Sequence, residues 1–156
     1  MFEHSTRLSV SLLGFVVAIG ACGDDSSGPG PQATELSVGG TYNTAVTLQQ
    51  NGCTGITVQT FPTTVTHTPG ASTLTLTHAG NSYTGTVQRN GSFATTARAV
   101  GGGTETHTLT IAGTFSTTAI DATVTADVQR TGSPNCQYIV KWAGPRQSGV
   151  NVIPGS

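Results

Sequence analysis

The stretch ETHTLTIAGTFSTTAIDATVTADVQ, residues 105–129, places side chains of alternating character at nearly every position. One side of the alternation is mostly apolar and contains His107, Leu109, Ile111 and Phe115, and it resumes at Ile120. The other side is mostly threonine. A period of two is typical of β-strands, and a single apolar side is typical of an antiparallel sheet with one face in water. The stretch therefore predicts two long neighbouring strands, over 105–115 and 119–129.

The same alternation continues along the chain on both sides of this pair. It predicts further strands over about 40–50, 54–60, 63–68, 72–78, 82–88, 92–99 and 136–143. We count 54–60 and 63–68 as one strand bent at Pro62, because proline donates no hydrogen bond to a sheet. The turns are short, as at Pro69-Gly70, so strands that follow one another in sequence should be neighbours in space. The total is eight strands.

The turn at Asn90-Gly91 decides which side chains of the flanking strands face inward. A two-residue turn would place Val87 opposite Ala94 and would leave Phe93 outside. A three-residue loop with a bulge, in which Gly91 takes a positive φ, pairs Val87 with Phe93 instead. Burying a phenylalanine stabilises a fold by about 2 kcal/mol relative to leaving it exposed. We therefore expect the bulge.

The composition agrees with an all-β domain and narrows the classes of function. The chain has 156 residues, enough for one domain, with 29 threonines and 21 glycines, which favour strands and turns. Only 8% of the residues are charged and the formal net charge is −1. Nucleic acid is not expected as a partner, because no basic surface exists to neutralise phosphates. The polar outward side of the strands also excludes a membrane-spanning barrel.

Residues 1–21 have the character of a signal peptide. A short polar start precedes an apolar run over residues 8–19, which is too brief to span a membrane. The run ends in Ile19-Gly20-Ala21-Cys22, which resembles the lipobox of bacterial lipoproteins. That resemblance implies diacylation of the Cys22 thiol with palmitate-type chains, cleavage before Cys22 and acylation of the new amine. Ordinary cleavage, which yields a soluble secreted protein, is the alternative.

Residues 22–38 join the lipidated Cys22 to the domain and are rich in Gly, Ser, Pro and Asp. Such a composition is typical of a flexible linker. Several acyl chains hold a protein stably at a bilayer, so we expect a lipid anchor in the cell envelope, with the membrane as partner. In some lipoproteins an Asp directly after the lipidated cysteine causes retention in the inner membrane. Gly23 occupies that position here, which favours the outer membrane.

If Cys22 carries lipid, Cys53 and Cys136 are the two cysteines that remain to pair with each other. Export places them in an oxidising compartment, where a disulfide is stable. The bond would close a loop of 83 positions, which the chain-entropy account values at roughly 4–5 kcal/mol. A metal-binding or catalytic pair of thiols is the alternative, although no Cys-x-x-Cys spacing supports it.

The positions of these cysteines also bear on how the sheet closes. Cys53 follows the first predicted strand and Cys136 opens the last, so their disulfide suits a seam between those two strands. We therefore predict an all-β fold, an eight-stranded antiparallel up-and-down meander barrel over residues 39–146, with 147–156 as a flexible tail. A β-sandwich of immunoglobulin type is the alternative. It would place Trp soon after the first Cys, whereas Trp142 follows the second.

The predicted domain opens with Gly40-Thr41-Tyr42 and closes with Trp142-Ala143-Gly144-Pro145-Arg146. These two segments resemble those of the calycin superfamily, which contains the lipocalins and avidins. In lipocalins the first strand begins Gly-x-Trp, and a later Arg packs across that Trp at the closed end. The resemblance assigns Gly40, Tyr42 and Arg146 to those places, with Tyr in place of Trp. The domain is shorter than most lipocalins and shows no C-terminal helix. The resemblance implies a scaffold that binds small apolar ligands.

The large side chains on the predicted inner face could line a ligand pocket or fill the core. They are Tyr42, Tyr83, Phe93, Phe115, Tyr138 and Trp142. Smaller inner residues, such as Gly85 and Ala122, permit either tight coiling around a solid core or a void. The sequence leaves these two alternatives open.

Three histidines, His67, His78 and His107, also fall on the predicted inner face. The meander places His67 at one end of the barrel and the other two at the opposite end, so one ion could not bind all three. We predict no metal and no cofactor. No Gly-x-Ser-x-Gly motif occurs, and we predict no catalytic residue. A hydrolase is the less favoured alternative, and it would require a His-containing triad within hydrogen-bond reach.

Two sets of charged residues are expected to be solvated. Asp121 and Asp127 share a face but stand six residues apart, about 20 Å, which is too far for paired carboxylates of a glycosidase. Arg98 is expected on the outer surface.

The sequence therefore favours a lipid-anchored envelope protein with a structural or protein-contact role and without catalysis. The alternative is lipocalin-like binding of a small apolar ligand inside the barrel, which a hollow interior would favour.

Overall fold

The computed structural model describes residues 35–156, an all-β domain whose antiparallel sheet is curled into a half-barrel. The predicted signal peptide, Cys22 and most of the predicted linker lie outside the described residues. Within 35–156 no helix suited to crossing a membrane is present. The strands are β1 (Gly40–Tyr42), β2 (Ala45–Asn51), β3 (Thr63–Thr66), β4 (Thr73–His78), β5 (Asn81–Val87), β6 (Ser92–Thr95), β7 (Arg98–Gly102), β8 (Glu105–Phe115), β9 (Ala119–Arg130) and β10 (Cys136–Pro145).

The strands form one sheet in the order β1-β3-β4-β5-β6-β8-β9-β10-β2, and β7 pairs with β8 beside β6. All pairings are antiparallel, as predicted for a meander. The last strand returns to the start of the domain, with Trp142 of β10 opposite Val46 of β2. A single curled sheet of this order agrees with the predicted barrel-type architecture and differs from the sandwich alternative.

The strand count is ten and not eight, because two predicted strands are each divided. The first breaks at Asn43 and Thr44, where β1 pairs with β3 while β2 pairs with β10. The break lets the Asn43 amide donate to the Pro145 carbonyl. A Cβ on Gly144 would overlap the Asn43 carbonyl, so this close crossing requires glycine. The predicted strand over 92–99 is likewise divided into β6 and β7.

The prediction of a strand over 54–60 is wrong, since residues 52–62 contain no strand. In its place, the Thr60 hydroxyl accepts a hydrogen bond from the Val46 amide at 3.2 Å, and side chains substitute for a backbone ladder. Of the predicted bent strand only β3 forms, directly after Pro62. Because β2 has a strand partner on one side only, the seam there stays open, and the fold is a half-barrel.

The bulge predicted at Asn90-Gly91 is confirmed. Gly91 has a φ of 84°, and Val87 pairs with Phe93. Both side chains are buried in the core. The preference for burying Phe93 therefore decides the register of β5 against β6.

The packed domain extends beyond the predicted limits of 39 and 146. Leu36 and Val38, predicted to be linker, are buried in the core, and Asn151, predicted to lie in a flexible tail, is also buried. A bridge between Ser37 and Val152 joins the two segments. These segments cover the end of the half-barrel at which β1 begins, and we call this the closed end. The opposite end, where β2 reaches Cys53, is called the distal end.

Candidate functional site

The disulfide predicted between Cys53 and Cys136 is confirmed, with a Cα–Cα distance of 5.3 Å. It joins the end of β2 to the start of β10, across the pairing of the first and last strands. Cys53 is buried, while Cys136 is partly exposed. The bond therefore fastens the distal end of the β2–β10 pairing, where the irregular segment 52–62 begins.

A hydrogen-bonded group centred on Tyr42 fills the closed end. The Tyr42 hydroxyl oxygen lies 2.7 Å from the Val38 carbonyl oxygen and 2.7 Å from Asn151 Oδ1. Arg146 donates from Nη1 to the same Asn151 oxygen at 2.6 Å, and it donates from Nη2 to the Gly39 carbonyl. Burial raises the pKa of Tyr42, although the Asn151 hydrogen bond and the Arg146 charge oppose this. The phenol thus stays protonated as a donor.

The places that the calycin resemblance assigned to Gly40, Tyr42 and Arg146 are adjacent in space. A Cβ at Gly40 would lie about 3.0 Å from the Arg146 guanidinium carbon, so Gly40 makes room for the arginine. Tyr42 and Arg146 also form an antiparallel bridge. The arrangement is compatible with a calycin-like closed end, with tyrosine in the position of tryptophan.

A second polar group lies at the distal end, on β8, β9 and β10. His107 Nε2 lies 2.6 Å from Glu105 Oε1, and its Nδ1 lies 3.1 Å from the Tyr138 hydroxyl. Arg130 donates to both Glu105 oxygens, at 2.9 and 3.3 Å, and to the Thr54 carbonyl at 3.1 Å. The hydrogen bond from Arg130, followed by that from His107, lowers the pKa of Glu105. Glu105 is therefore an acceptor, and the N–H at His107 Nε2 donates to it.

Tyr138, His107 and Glu105 thus form the His-containing hydrogen-bonded triad that a hydrolase would require. Its terminal hydroxyl belongs to a tyrosine and not to serine, threonine or cysteine. Burial, and then the nearby Glu105 charge, raise the pKa of Tyr138. These influences favour the neutral phenol, whereas a nucleophile requires easier loss of the proton. The contacts instead tie three strands and the 52–62 segment together at the distal end.

A third polar group surrounds His78 at the end of β4. His78 Nδ1 lies 2.9 Å from the Thr63 hydroxyl, which lies 2.8 Å from the Thr44 hydroxyl. Thr44 donates to the Phe61 carbonyl at 2.8 Å. The His78 ring stacks on Trp142 with centroids 3.9 Å apart. Burial lowers the pKa of His78 to about 4, so the ring is neutral at neutral pH.

The six aromatic residues predicted on the inner face pack mainly against the core. Tyr42, Tyr83, Phe93, Phe115 and Trp142 are buried, and Tyr138 is partly buried. Phe115 contacts both Tyr42 and Phe93, with centroids 5.6 and 4.8 Å apart. Clefts of about 590, 350, 410 and 420 Å³ are present in the described domain, and none of the six lines them. The five buried aromatic side chains therefore belong to the packed core, and Tyr42, Phe115 and Phe93 fill its closed end.

The other predicted positions are dispersed. His67 accepts from the Val38 amide at 3.4 Å and lies far from the partners of His78 and His107. Asp121 pairs with Lys141 on the outer surface, and Arg98 is exposed as predicted. Residues 35–156 hold no group of three or more His, Cys, Asp or Glu side chains placed to bind a metal ion.

Sequence reasoning missed three residues that build these sites. Thr44 and Thr63 are buried and hydrogen-bonded, and Asn151 lies in a segment predicted to be flexible. Thr44 and Thr63 each occupy an inner position of an alternating stretch, where a threonine among apolar residues could have indicated a buried hydroxyl pair. No pattern around Asn151 marks it.

Comparison of the chain with protein-family models, with curated proteins and with solved structures gave no match. The features of the chain that bear on function are therefore the lipobox resemblance, the disulfide and the geometry of the half-barrel.

Proposed function

We propose that this protein is a lipoprotein of the bacterial cell envelope, anchored through acyl chains on Cys22, whose half-barrel has a non-catalytic structural or protein-contact role. The observation that carries the proposal is the Cys53–Cys136 disulfide. It uses the other two cysteines of the chain, so Cys22 is the one left for another chemistry. Disulfides are also typical of exported proteins, which agrees with a signal peptide before Cys22.

The position at which the chain joins the domain supports an anchored arrangement. Leu36 and Val38 are buried at the closed end, directly after the linker. The 13 positions from Cys22 to Glu35 would span roughly 20 Å as a flexible coil. We therefore expect the distal end, with Cys136 and the Glu105 group, to be the surface presented to partners. Gly23 after the acylated cysteine favours the outer membrane.

The absence of catalysis is proposed from the chemistry of the distal group. The raised pKa of Tyr138 holds its hydroxyl protonated, and the two nitrogens of His107 are both engaged by protein groups. Such a group contributes hydrogen bonds between strands and offers no activated nucleophile.

Intact mass measurement of the mature protein tests the anchor. We expect a chain that begins at Cys22 with added acyl mass and that partitions into the detergent phase of Triton X-114. Cys22→Ala should remove the acyl mass. Membrane fractionation alone would not decide the question, since an uncleaved signal peptide also retains a protein at the membrane. A wild-type chain that begins near Cys22 without acyl mass would overturn the proposal.

The double variant Cys53→Ala/Cys136→Ala is the matched control for loss of a cysteine. It removes the disulfide but leaves Cys22, so it should carry the same acyl mass as the wild type. Loss of acylation in this control would show that the modification does not depend on Cys22 alone.

A second function, binding of a small apolar ligand, is supported by one specific observation. Several apolar side chains are only partly buried against the core, namely Val46, Leu48, Val58, Val100 and Tyr138. A ligand that contacts them would lie toward the distal half, because Tyr42, Phe93 and Phe115 pack together at the closed end. Native mass spectrometry of the purified protein should then show a bound small molecule that Leu48→Gln reduces. Its absence from freshly purified protein would reject this second function.

A further inference from the structure

A buried imidazole on β4 lies against an exposed aromatic ring of the 52–62 segment, directly before β3. The His78 side chain is 6% exposed, while Phe61 is 39% exposed. The two rings meet edge to face, with centroids 6.0 Å apart and an interplanar angle of 90°. Trp142 covers a face of the imidazole at 3.9 Å. The aromatic neighbours thus fix the orientation of the His78 ring.

The hydrogen bonds of this group determine which nitrogen of His78 carries the proton. Thr44 has one hydroxyl proton, and it goes to the Phe61 carbonyl at 2.8 Å, because a carbonyl only accepts. The Thr44 oxygen, 2.8 Å from the Thr63 oxygen, must then accept the Thr63 proton. Thr63 has no second proton, so it accepts from His78 Nδ1 at 2.9 Å. Neutral His78 is therefore protonated on Nδ1.

The other nitrogen, Nε2, then holds a lone pair. It has no hydrogen-bond partner among residues 35–156. Every fully buried side-chain nitrogen and oxygen in that part of the chain does have a partner. Nε2 is therefore not completely buried, and it accounts for part of the 6% exposure of the His78 side chain. Burial lowers the pKa of His78 to about 4, which keeps the lone pair available at neutral pH.

We propose that His78 Nε2 and the exposed ring of Phe61 form a binding position for a planar aromatic molecule that carries an O–H or N–H donor, such as a phenol. A good small-molecule site combines apolar contact with a few fixed polar groups. Phe61 supplies the apolar contact, and Nε2 supplies an acceptor whose direction the threonines set. An anion does not fit, because the site offers it a lone pair and no donor. All the residues of this binding position belong to the sequence range 44–142, so the position does not depend on acylation of Cys22.

Nuclear magnetic resonance of the imidazole nitrogens and a titration with p-cresol test the proposal. In the wild type, we expect a protonated Nδ1 and an unprotonated Nε2 for His78. Added p-cresol should shift the signals of His78 Nε2 and of the Phe61 ring together, with one saturating affinity. Toluene has the same ring without the donor and should bind about fivefold more weakly. A wild-type His78 protonated on Nε2, or p-cresol shifts that map elsewhere, would overturn the assignment.

Thr44→Val provides a sharper test, because it keeps the side chains of both His78 and Phe61, and toluene affinity reports whether loss of the Thr44 hydrogen bond to the Phe61 carbonyl moves that ring. Valine has nearly the shape of threonine but removes the acceptor of the Thr63 proton. Thr63 is then able to donate to Nδ1, which moves the imidazole proton to Nε2. We expect p-cresol affinity to fall to that of toluene, while toluene affinity stays unchanged. Thr47→Val, at an exposed position on β2, is the matched control and should bind p-cresol as the wild type does. Equal p-cresol affinity in Thr44→Val and the wild type would refute the proposal.

Discussion

Lowering the pH from 7 to 5 should destabilise the domain through one buried side chain, His78. Its pKa is lowered by burial to about 4, whereas an unfolded histidine titrates near 6.5. Between these two values the unfolded chain binds a proton that the folded domain does not. The free energy of unfolding therefore falls as the pH falls. The stability gained by keeping this ring neutral is present above pH 6.5 and is lost toward pH 4.

The size of the effect follows from the two pKa values. The loss is about 2 kcal/mol between pH 7 and pH 5, and about 3 kcal/mol by pH 4. This is a large share of the roughly 5–15 kcal/mol that stabilises a typical domain. The groups that contact the ring, Phe61, Thr63 and Trp142, carry no charge, so the effect does not depend strongly on salt.

Urea unfolding of the wild type and His78→Phe across this pH range measures the effect. Phenylalanine retains an aromatic ring against Trp142 but cannot titrate, and it removes the donor to Thr63. At pH 7 the free energy of unfolding of the variant should be about 1 kcal/mol below that of the wild type, because the hydrogen bond to Thr63 is lost. Between pH 7 and pH 5 it should fall by about 2 kcal/mol less than that of the wild type. His67→Gln, which leaves His78 in place, should keep the contribution of His78. Parallel curves for the wild type and His78→Phe would refute the reasoning, as would a His78 resonance that titrates near pH 6.5.

Three further perturbations have expected outcomes that equilibrium unfolding can check. Cys53→Ala should destabilise the oxidised protein by about 4–5 kcal/mol, since the disulfide closes a loop of 83 positions, and reductant should abolish the difference from the wild type. Gly144→Ala should cost about 3 kcal/mol or more, because its Cβ would overlap the Asn43 carbonyl, whereas Gly102→Ala meets open space and should change stability little. Tyr42→Phe should cost about 1–3 kcal/mol, since it removes the hydroxyl that lies 2.7 Å from the carbonyl of the buried Val38, and a neutral result would contradict the role given to that hydroxyl.

Much of the strand pattern could be predicted because it depends on neighbouring residues. The alternation over 105–129 is local, and β8 and β9 match the predicted strands to within a residue. The register at Gly91 was also predictable, since one buried phenylalanine decided between two turns. By contrast, the segment 52–62 alternates in the same way yet forms no strand. Its hydrogen bonds to the rest of the domain are single contacts, such as Val46 N–H to the Thr60 hydroxyl and Thr44 to the Phe61 carbonyl, which a local pattern does not record.

The polar groups were harder to predict than the strands. The relay from His78 through Thr63 to Thr44 joins β4, β3 and the break between β1 and β2, which only the curled sheet brings together. Tyr42 and Asn151 are 109 positions apart, and their contact depends on the chain end folding back over the closed end. The Glu105 group was partly foreseeable, because Glu105 and His107 share a face of one strand, but its partners on β9 and β10 were not.

The amino-acid sequence by itself determined the all-β class, the inward side of most strands, the bulge at Gly91 and the pairing of Cys53 with Cys136. These depend on a period of two and on counting cysteines, which need no knowledge of distant contacts. Only the tertiary structure decided where the first strand breaks, which threonines are buried as a relay and which nitrogen of His78 is left unprotonated. The reason is physical: a hydrogen bond constrains its proton only when donor and acceptor meet, and here the chain brings them together from positions far apart.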